Sequence, residues 1–347
     1  MAERYVIGVD IGGTKLLAGA VDTQGTVSHR TNRPVLGLDQ PELLDMIVDA
    51  VEHIRTGVGE VAAVGFGIPC TFDRRTGVAV QAVHLPLRDL AFAAVMQERL
   101  GVPVAADNDG NCSALCEARA GVARGCSDVV MLTLGTGIGA GLVLGGKLYR
   151  GWMGAGAELG HMVIDADGPP CHGNCPNHGC LEVMASGSAL VREVSLAVSR
   201  RPDTPIGAAL EEGRELTGPL IDELARAGDP VAIAALEKIG RALGVGIANV
   251  VNIFNPQMVV IGGGMIGAGE LLLAPAREVM RERALSPQRD EVRVEAASFG
   301  PEAGMVGAAD LARLVARRFR RAKRRRVERF ERFERFTEAA RRTQDTA

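Results

Sequence analysis

The chain has 347 residues, 47% of them hydrophobic and 23% charged, with 44 glycines and 3% aromatics. These figures exclude a wholly disordered, collagen-like or disulfide-dense protein and set a globular chain of one large or two moderate domains. The net charge of −3 hides an asymmetry: from Arg313 to Ala347, 14 Lys or Arg face 5 Asp or Glu, a charge of +9 that leaves the rest at −12.

In chain order, Tyr5 to Val9 reads as a strand, Asp10 to Lys15 as a glycine turn, and Leu16 to Val21 as a second strand. A hairpin turn at Asp22 to Gly25 leads into Thr26-Val27-Ser28. Apolar residues three and four apart predict a helix over Pro41 to Thr56. Val61 to Ile68 is a strand, Leu90 to Leu100 a helix, Val102 to Ala106 a strand and Asn111 to Gly121 a helix. Then strand, glycine loop and hairpin recur: Val129 to Leu134, Gly135 to Gly139, Ala140 to Leu144, the turn Gly145-Gly146, and Lys147 to Tyr149. The recurrence, about 125 residues on, hints at two related halves. Helix follows to about Asn252, then a strand at Met258 to Ile261, the turn Gly262-Gly263-Gly264 and more helix. Val292 to Ala296 is the last strand and Gly304 to Ala316 the last helix of the body. Beyond Arg317 lies a low-complexity extension, basic at eight of its first ten residues and expected to be helical where ordered.

Three glycine loops offer backbone to a ligand. Asp10 to Lys15 (DIGGTK) lies between two strands. Its amides can nest phosphate oxygens, Thr14 adds a hydroxyl and Lys15 a charge. Asp10, at a strand end, can hold magnesium through water. An ordinary hairpin would need less than two glycines followed by Thr-Lys. Gly135 to Ala140 matches G-x-G-x-x-A after a strand. The dinucleotide fingerprint must open a helix, however, and a β-hairpin follows here, so phosphate contact without a Rossmann unit is expected. No Walker A motif occurs. Gly262-Gly263-Gly264 suits close approach to a flat group such as adenine.

Cys171, Cys175 and Cys180 fall within ten residues, preceded by His161. Three cysteines and a histidine make a closed tetrahedral zinc set, and the turn-rich PPCHGNCPNHGC has little apolar content to fold otherwise. His172 and His178 are rival ligands. Cys112 and Cys116 sit one helical turn apart and read as core residues. Seven cysteines in a chain with no signal-peptide pattern read as thiols or ligands rather than disulfides. With no apolar run near the ~20 residues a span needs, no membrane span and a cytoplasmic location are expected. The acidic body argues against nucleic acid as a partner, except through the basic tail.

Together, DIGGTK at 10–15, GFGIP at 65–69, DND at 107–109, LGTGIGAG at 134–141, AELGH at 157–161, the cysteine cluster at 171–180 with Leu181-Glu182, ASG at 185–187, IGGG at 261–264 and GMVGAA at 304–309 resemble the ROK family of bacterial sugar kinases, within the actin-like ATPase superfamily, over roughly residues 5–316. The resemblance implies an α/β chain of actin-like (ribonuclease H-like) fold, with two α/β domains of mixed sheets around a central cleft. The expected division is 1–115, completed by the helix at 304–316, then 116–303 with the zinc loop, then the tail 317–347. ATP and magnesium would occupy one side of the cleft, with sugar beneath. The expected reaction is ATP-dependent phosphorylation of glucose at the 6-hydroxyl.

On the family pattern, Asp109 is the base that takes the 6-hydroxyl proton, and Asn108, Glu158, His161 and Glu182 contact the sugar. The residues alone leave helix capping by Asp107 or Asp109 as a rival reading. The nucleotide would lie on Asp10, Gly12, Gly13, Thr14, Lys15, Gly135, Thr136, Gly137, Gly263 and Gly264. The family favours His161 with Cys171, Cys175 and Cys180 as ligands of a structural zinc, and suggests homodimers or tetramers. Its usual GxPG reads Gly67-Ile68-Pro69-Cys70 here, and its Asn-Leu-Pro reads His84-Leu85-Pro86, the first spacing of the cysteine cluster being two residues longer than usual. Kinases for N-acetylmannosamine, N-acetylglucosamine, mannose or fructose, or with polyphosphate as donor, stay open. So does a regulatory sugar sensor, although the first strand at Tyr5 leaves no room for an N-terminal helix-turn-helix.

Overall fold

The structure is a computed structural model describing residues 5–82 and 85–344, with backbone alone for 326–327 and 330–344. His84 of the His-Leu-Pro segment lies outside the described residues. In chain order the elements are β1 (Tyr5–Ile11), β2 (Lys15–Val21), β3 (Val27–Pro34), α1 (Gln40–Val58), β4 (Val61–Ile68), β5 (Cys70–Asp73), β6 (Val78–Ala82), β7 (Arg88–Leu90), α2 (Phe92–Leu100), β8 (Val104–Asn108) and α3 (Asp109–Arg119). Then come β9 (Val129–Leu134), β10 (Ile138–Leu144), β11 (Lys147–Tyr149), α4 (Leu181–Ala185), α5 (Gly187–Val198), α6 (Pro205–Glu211), α7 (Gly218–Arg226), α8 (Pro230–Phe254), β12 (Met258–Gly262), α9 (Glu270–Arg283), α10 (Gln288–Glu291), β13 (Arg293–Ala296) and α11 (Ala303–Gln344).

The strands form two five-stranded sheets of one design, β3-β2-β1-β4-β8 and β11-β10-β9-β12-β13. In each, the first three strands run antiparallel as a meander, and two more join in parallel. The repetition in the sequence is thus a repetition of topology. Each sheet has its own apolar core, one built with α1 and α2, the other with α4 to α9. A third, three-stranded sheet, β5-β6-β7, is absent from the sequence expectations, which began a helix at Leu90 where β7 ends. Its strands, CTFD, VAVQA and RDL, are short and carry no clean alternation, so period-2 reading misses them.

Local chemistry explains the element ends. Asp39 caps α1 and exchanges hydrogen bonds with Glu42 in a capping box, with Pro41 in the first turn. Asn108 caps α3, its Oδ1 accepting from the amides of Gly110 and Asn111.

The final helix returns to the first sheet. α11 crosses β1 and β4 at Gly8 and Gly65, where any Cβ would overlap the Met305 and Ala308 carbonyls. Only bare backbone permits so close a contact. Gly65→Ala is therefore expected to destabilise the fold by about 1–3 kcal/mol through overpacking, measured by denaturant unfolding. The helix runs without a break through the change of composition at Arg317. Arg317, Arg318, Phe319, Arg320 and Arg321 are exposed on it. No helix among the described residues is long and apolar enough to cross a membrane.

Candidate active site

Asp10, next to last in β1, pairs with Leu17 on β2 and ends the ladder with β4 at Gly67. The turn that follows is closed by the Gly12 amide donating to the Lys15 carbonyl at 2.8 Å, and it leaves Thr14 and Lys15 exposed. The Asp10 carboxylate lies against Gly67 and Gly304, the latter from the first turn of α11. Burial, reinforced by the negative charge of Asp109 and opposed by Lys15, pushes its carboxyl up to about 7.

Across from it, Gly135-Thr136-Gly137 joins β9 to β10. The Gly187 amide at the start of α5 donates to Gly135 at 2.8 Å, and the Ser188 hydroxyl donates to Thr136 at 2.9 Å. Glu182, on α4, accepts from the Ile138 amide at 2.8 Å and lies so close over Gly137 that a Cβ there would overlap its carboxylate. Glu182 thus braces the loop. The third loop joins them: Gly263, with φ +86°, sits where a side chain would overlap the Leu134 backbone just before Gly135. A hairpin, β10–β11, follows the second loop, so the loop does not open a Rossmann helix.

Asp107, Asn108 and Asp109 span the end of β8 and the first residue of α3. Asp107 is fully committed. Arg150, just after β11, places Nε and Nη2 2.5 Å from Asp107 Oδ2. The Asn111 amide group donates to Oδ1 at 2.9 Å, and the Asn108 backbone amide donates to it at 3.0 Å. Asn108 is the helix cap, which leaves its Nδ2 as the group able to donate to a ligand. Asp109 has no ion-pair partner among the described residues. Burial raises its carboxyl above the ordinary value, against hydrogen bonds from the local backbone. The rival reading of Asp107 or Asp109 as the cap is set aside, because Asn108 fills that position.

Glu158 precedes a 3-10 turn at Leu159–His161 and follows Ala157, which is held in the left-handed region at φ +71°. Backbone strain at a non-glycine residue of this kind costs about 1–3 kcal/mol and clusters at functional sites. Burial is the main cause raising the Glu158 carboxyl. Asp109 and Glu182 raise it further and His161 lowers it. Asp109, Glu182 and the neighbouring pair Glu158 and His161, from three separate stretches of the chain, therefore share one field. Sequence reasoning missed Arg150 and Asn111. Asn111 was readable beside DND, but Arg150 carries no local signal at all.

His161, Cys171, Cys175 and Cys180 bring one ligand atom each within 4.8 Å of one another. His161 Nδ1 lies 3.5 Å from Cys171 Sγ, and Cys175 Sγ lies 3.8 Å from Cys180 Sγ. A tetrahedral site with ~2.3 Å metal–sulfur arms has edges of about 3.8 Å, so the donors fit zinc in number, type and spacing. His178 is turned away, its Nδ1 3.3 Å from the Gly168 carbonyl, and His172 is not in the cluster. The longer first spacing is absorbed in a turn, with Cys171 donating its amide to Asn177 and Cys175 to His172.

Two sheets of repeated topology, each with a glycine turn after its first strand, define an actin-like ATPase fold. The ROK family model matches residues 6–314, and the chain belongs to the ROK family. A glucokinase of Streptomyces coelicolor is 37% identical over 88% of this chain and 97% of its own length. The crystal structure of a ROK family glucokinase from Streptomyces griseus in complex with glucose and AMPPNP superposes with a TM-score of 0.80 at 37% identity, covering 89% of this chain and 99% of that one. A ROK family transcriptional regulator, a homolog of the E. coli MLC protein, superposes at 0.82 with 27% identity, over 91% of this chain and 79% of its own.

Proposed function

We propose that this chain is a glucokinase, transferring the γ-phosphoryl group of ATP to the 6-hydroxyl of glucose to give glucose 6-phosphate and ADP. The observation that carries the reading is Asp109: an acid with no ion-pair partner among the described residues, raised by burial, and near enough to Asp10 and Glu158 for its charge to raise both. Its Oδ accepts the O6 proton as O6 forms a bond to the γ-phosphorus. The bond from that phosphorus to the β,γ-bridging oxygen breaks, and ADP departs.

In this reading the other residues take the following roles. Gly12, Gly13, Thr14 and Lys15 on one lobe and Gly135, Thr136 and Gly137 on the other hold the phosphates. Gly263 and Gly264 flank the adenine. Asn108 donates through Nδ2, Glu158 and Glu182 accept from hydroxyls, and His161 presents Nε2. Asp10 suits magnesium held through water, because its carboxylate is buried and, among the described residues, Lys15 is the cation whose charge offsets it. Magnesium supplies charge neutralisation on the phosphates. His161, Cys171, Cys175 and Cys180 would hold zinc in a closed site, which fixes the imidazole and the chain leading to Glu182. The assembly is read as a homodimer or tetramer and the location as the cytoplasm.

A coupled assay over glucose, mannose, fructose, N-acetylglucosamine and N-acetylmannosamine, with ATP or polyphosphate as donor, tests the reading. Glucose with ATP is expected to give the highest kcat/KM, and a better substrate among the others overturns it. Because Asp109 must be ionised to act and its carboxyl is raised, kcat/KM should fall as pH drops through a value above the ordinary aspartate range of about 4, and the pH–rate profile locates that limb. Truncation after Ala316 should leave turnover within a few-fold, since the family match ends at 314, while removing salt-sensitive retention on heparin. A soluble but inactive truncation would place the tail in the fold or the site.

A further inference from the structure

The chain passes between its lobes twice: from α3 through residues 120–128 into β9, and from β13 through residues 297–302 into α11. α3 is wedged between the sheets. Its Gly110 lies against Ala140 of β10, and Cys112 packs beneath β4. At its C-terminal end Glu117 is completely buried. Oε1 accepts from the backbone amides of Ser298 and Phe299, each at 2.9 Å. Oε2 accepts from the Val122 amide and the Ser298 hydroxyl, also at 2.9 Å. All four donors are neutral. Val122 belongs to the first crossing, and Ser298 and Phe299 to the second. Gly121 leaves the space: a Cβ there would overlap Oε2.

A fully buried carboxylate is costly unless its lone pairs are filled, and here two donors fill each oxygen. A glutamine would turn two donors of its own toward these N–H groups. The negative charge therefore serves to hold four donors drawn from two crossings at one point. Lobes joined by two strands can close reproducibly only if both bend together, and hinges are a few residues at such crossings. We propose that Glu117 is a positioning residue that couples the two interlobe crossings into a single hinge, so that Asp109 and Lys15 on one lobe meet Gly135–Gly137 on the other in one closed geometry. The kinetic part of this proposal rests on the kinase reading; the mechanical part does not.

The mechanical test is amide hydrogen exchange on the ligand-free, full-length chain carrying Ser298→Ala. Loss of one donor in the second crossing should raise exchange about tenfold at residues 120–124 of the first, as well as at 297–300, and Ser298→Thr should restore protection in both. Exchange that rises only at 297–300 overturns the coupling. The kinetic test compares Glu117→Gln and Ser298→Ala with the parent, well below each variant's Tm. Here kcat is expected to fall about tenfold, more than the sugar KM changes, because misplacement of the reacting groups is felt in the transition state. A folded variant with unaltered kcat overturns the positioning role. A parent chain that turns over no sugar instead overturns the glucokinase reading, and the exchange measurement then decides the hinge.

Discussion

Asp109→Asn is expected to lower kcat by ~10²–10⁴-fold while the dissociation constant for glucose changes little. The substitution keeps the shape and polarity of the side chain and removes only its ability to take a proton. The fold should survive it, because the cap of α3 is Asn108 and the ion pair with Arg150 belongs to Asp107. Steady-state kinetics with glucose titration by calorimetry separates the two effects. The neighbouring acid gives the contrast. Asp107→Asn would leave Arg150 in the half-buried cleft without its partner, so stability and sugar affinity should fall together. Near-normal turnover in Asp109→Asn, or a loss confined to affinity, would remove the base assignment.

Replacing Cys175 with Ala should abolish zinc binding and most of the activity, and lower Tm by several degrees. Elemental analysis of protein purified without chelator should find one zinc per chain in the parent and none in the variant. The large effect follows from position. Residues 162–180 carry only short backbone bridges, Val163 with Cys180 and Pro170 with His178, and no helix or strand of their own among the described residues. The cluster also orients His161, three residues from Glu158, and leads directly into α4 with Glu182. The two remaining thiols without a metal would hold none of these in place, since the binding energy of a structural zinc is folding energy. A zinc-free variant with full activity would show that the loop stands on its own.

The glycine loops, the DND segment and the cysteine cluster were legible in the sequence because each concentrates unusual residue types over a few positions. The doubled topology was legible too, since strand, glycine loop and hairpin recur in order. What stayed hidden depended on partners distant along the chain. Nothing near Asp107 tells it from Asp109. The difference is Arg150, which a separate hairpin delivers. Glu182 looked like a sugar ligand alone, and its bond to the Ile138 amide appears only when α4 folds over the loop. The β5–β7 sheet was invisible because its strands are short and its hairpin is bulged between Thr71 and Phe72.

The last helix starts with Gly304 against the Asp10 carboxylate and ends at Gln344 without a break. At ~1.5 Å per residue its 42 residues form a rod about 63 Å long. Its inner end is seated on the bare backbone of β1 and β4, so the rod has little freedom to swivel on the body. The basic extension is therefore a continuation of the same helix that packs on the first sheet. A probe attached near the far end would report the orientation of the first sheet itself, in the way a pointer reports the dial it is mounted on.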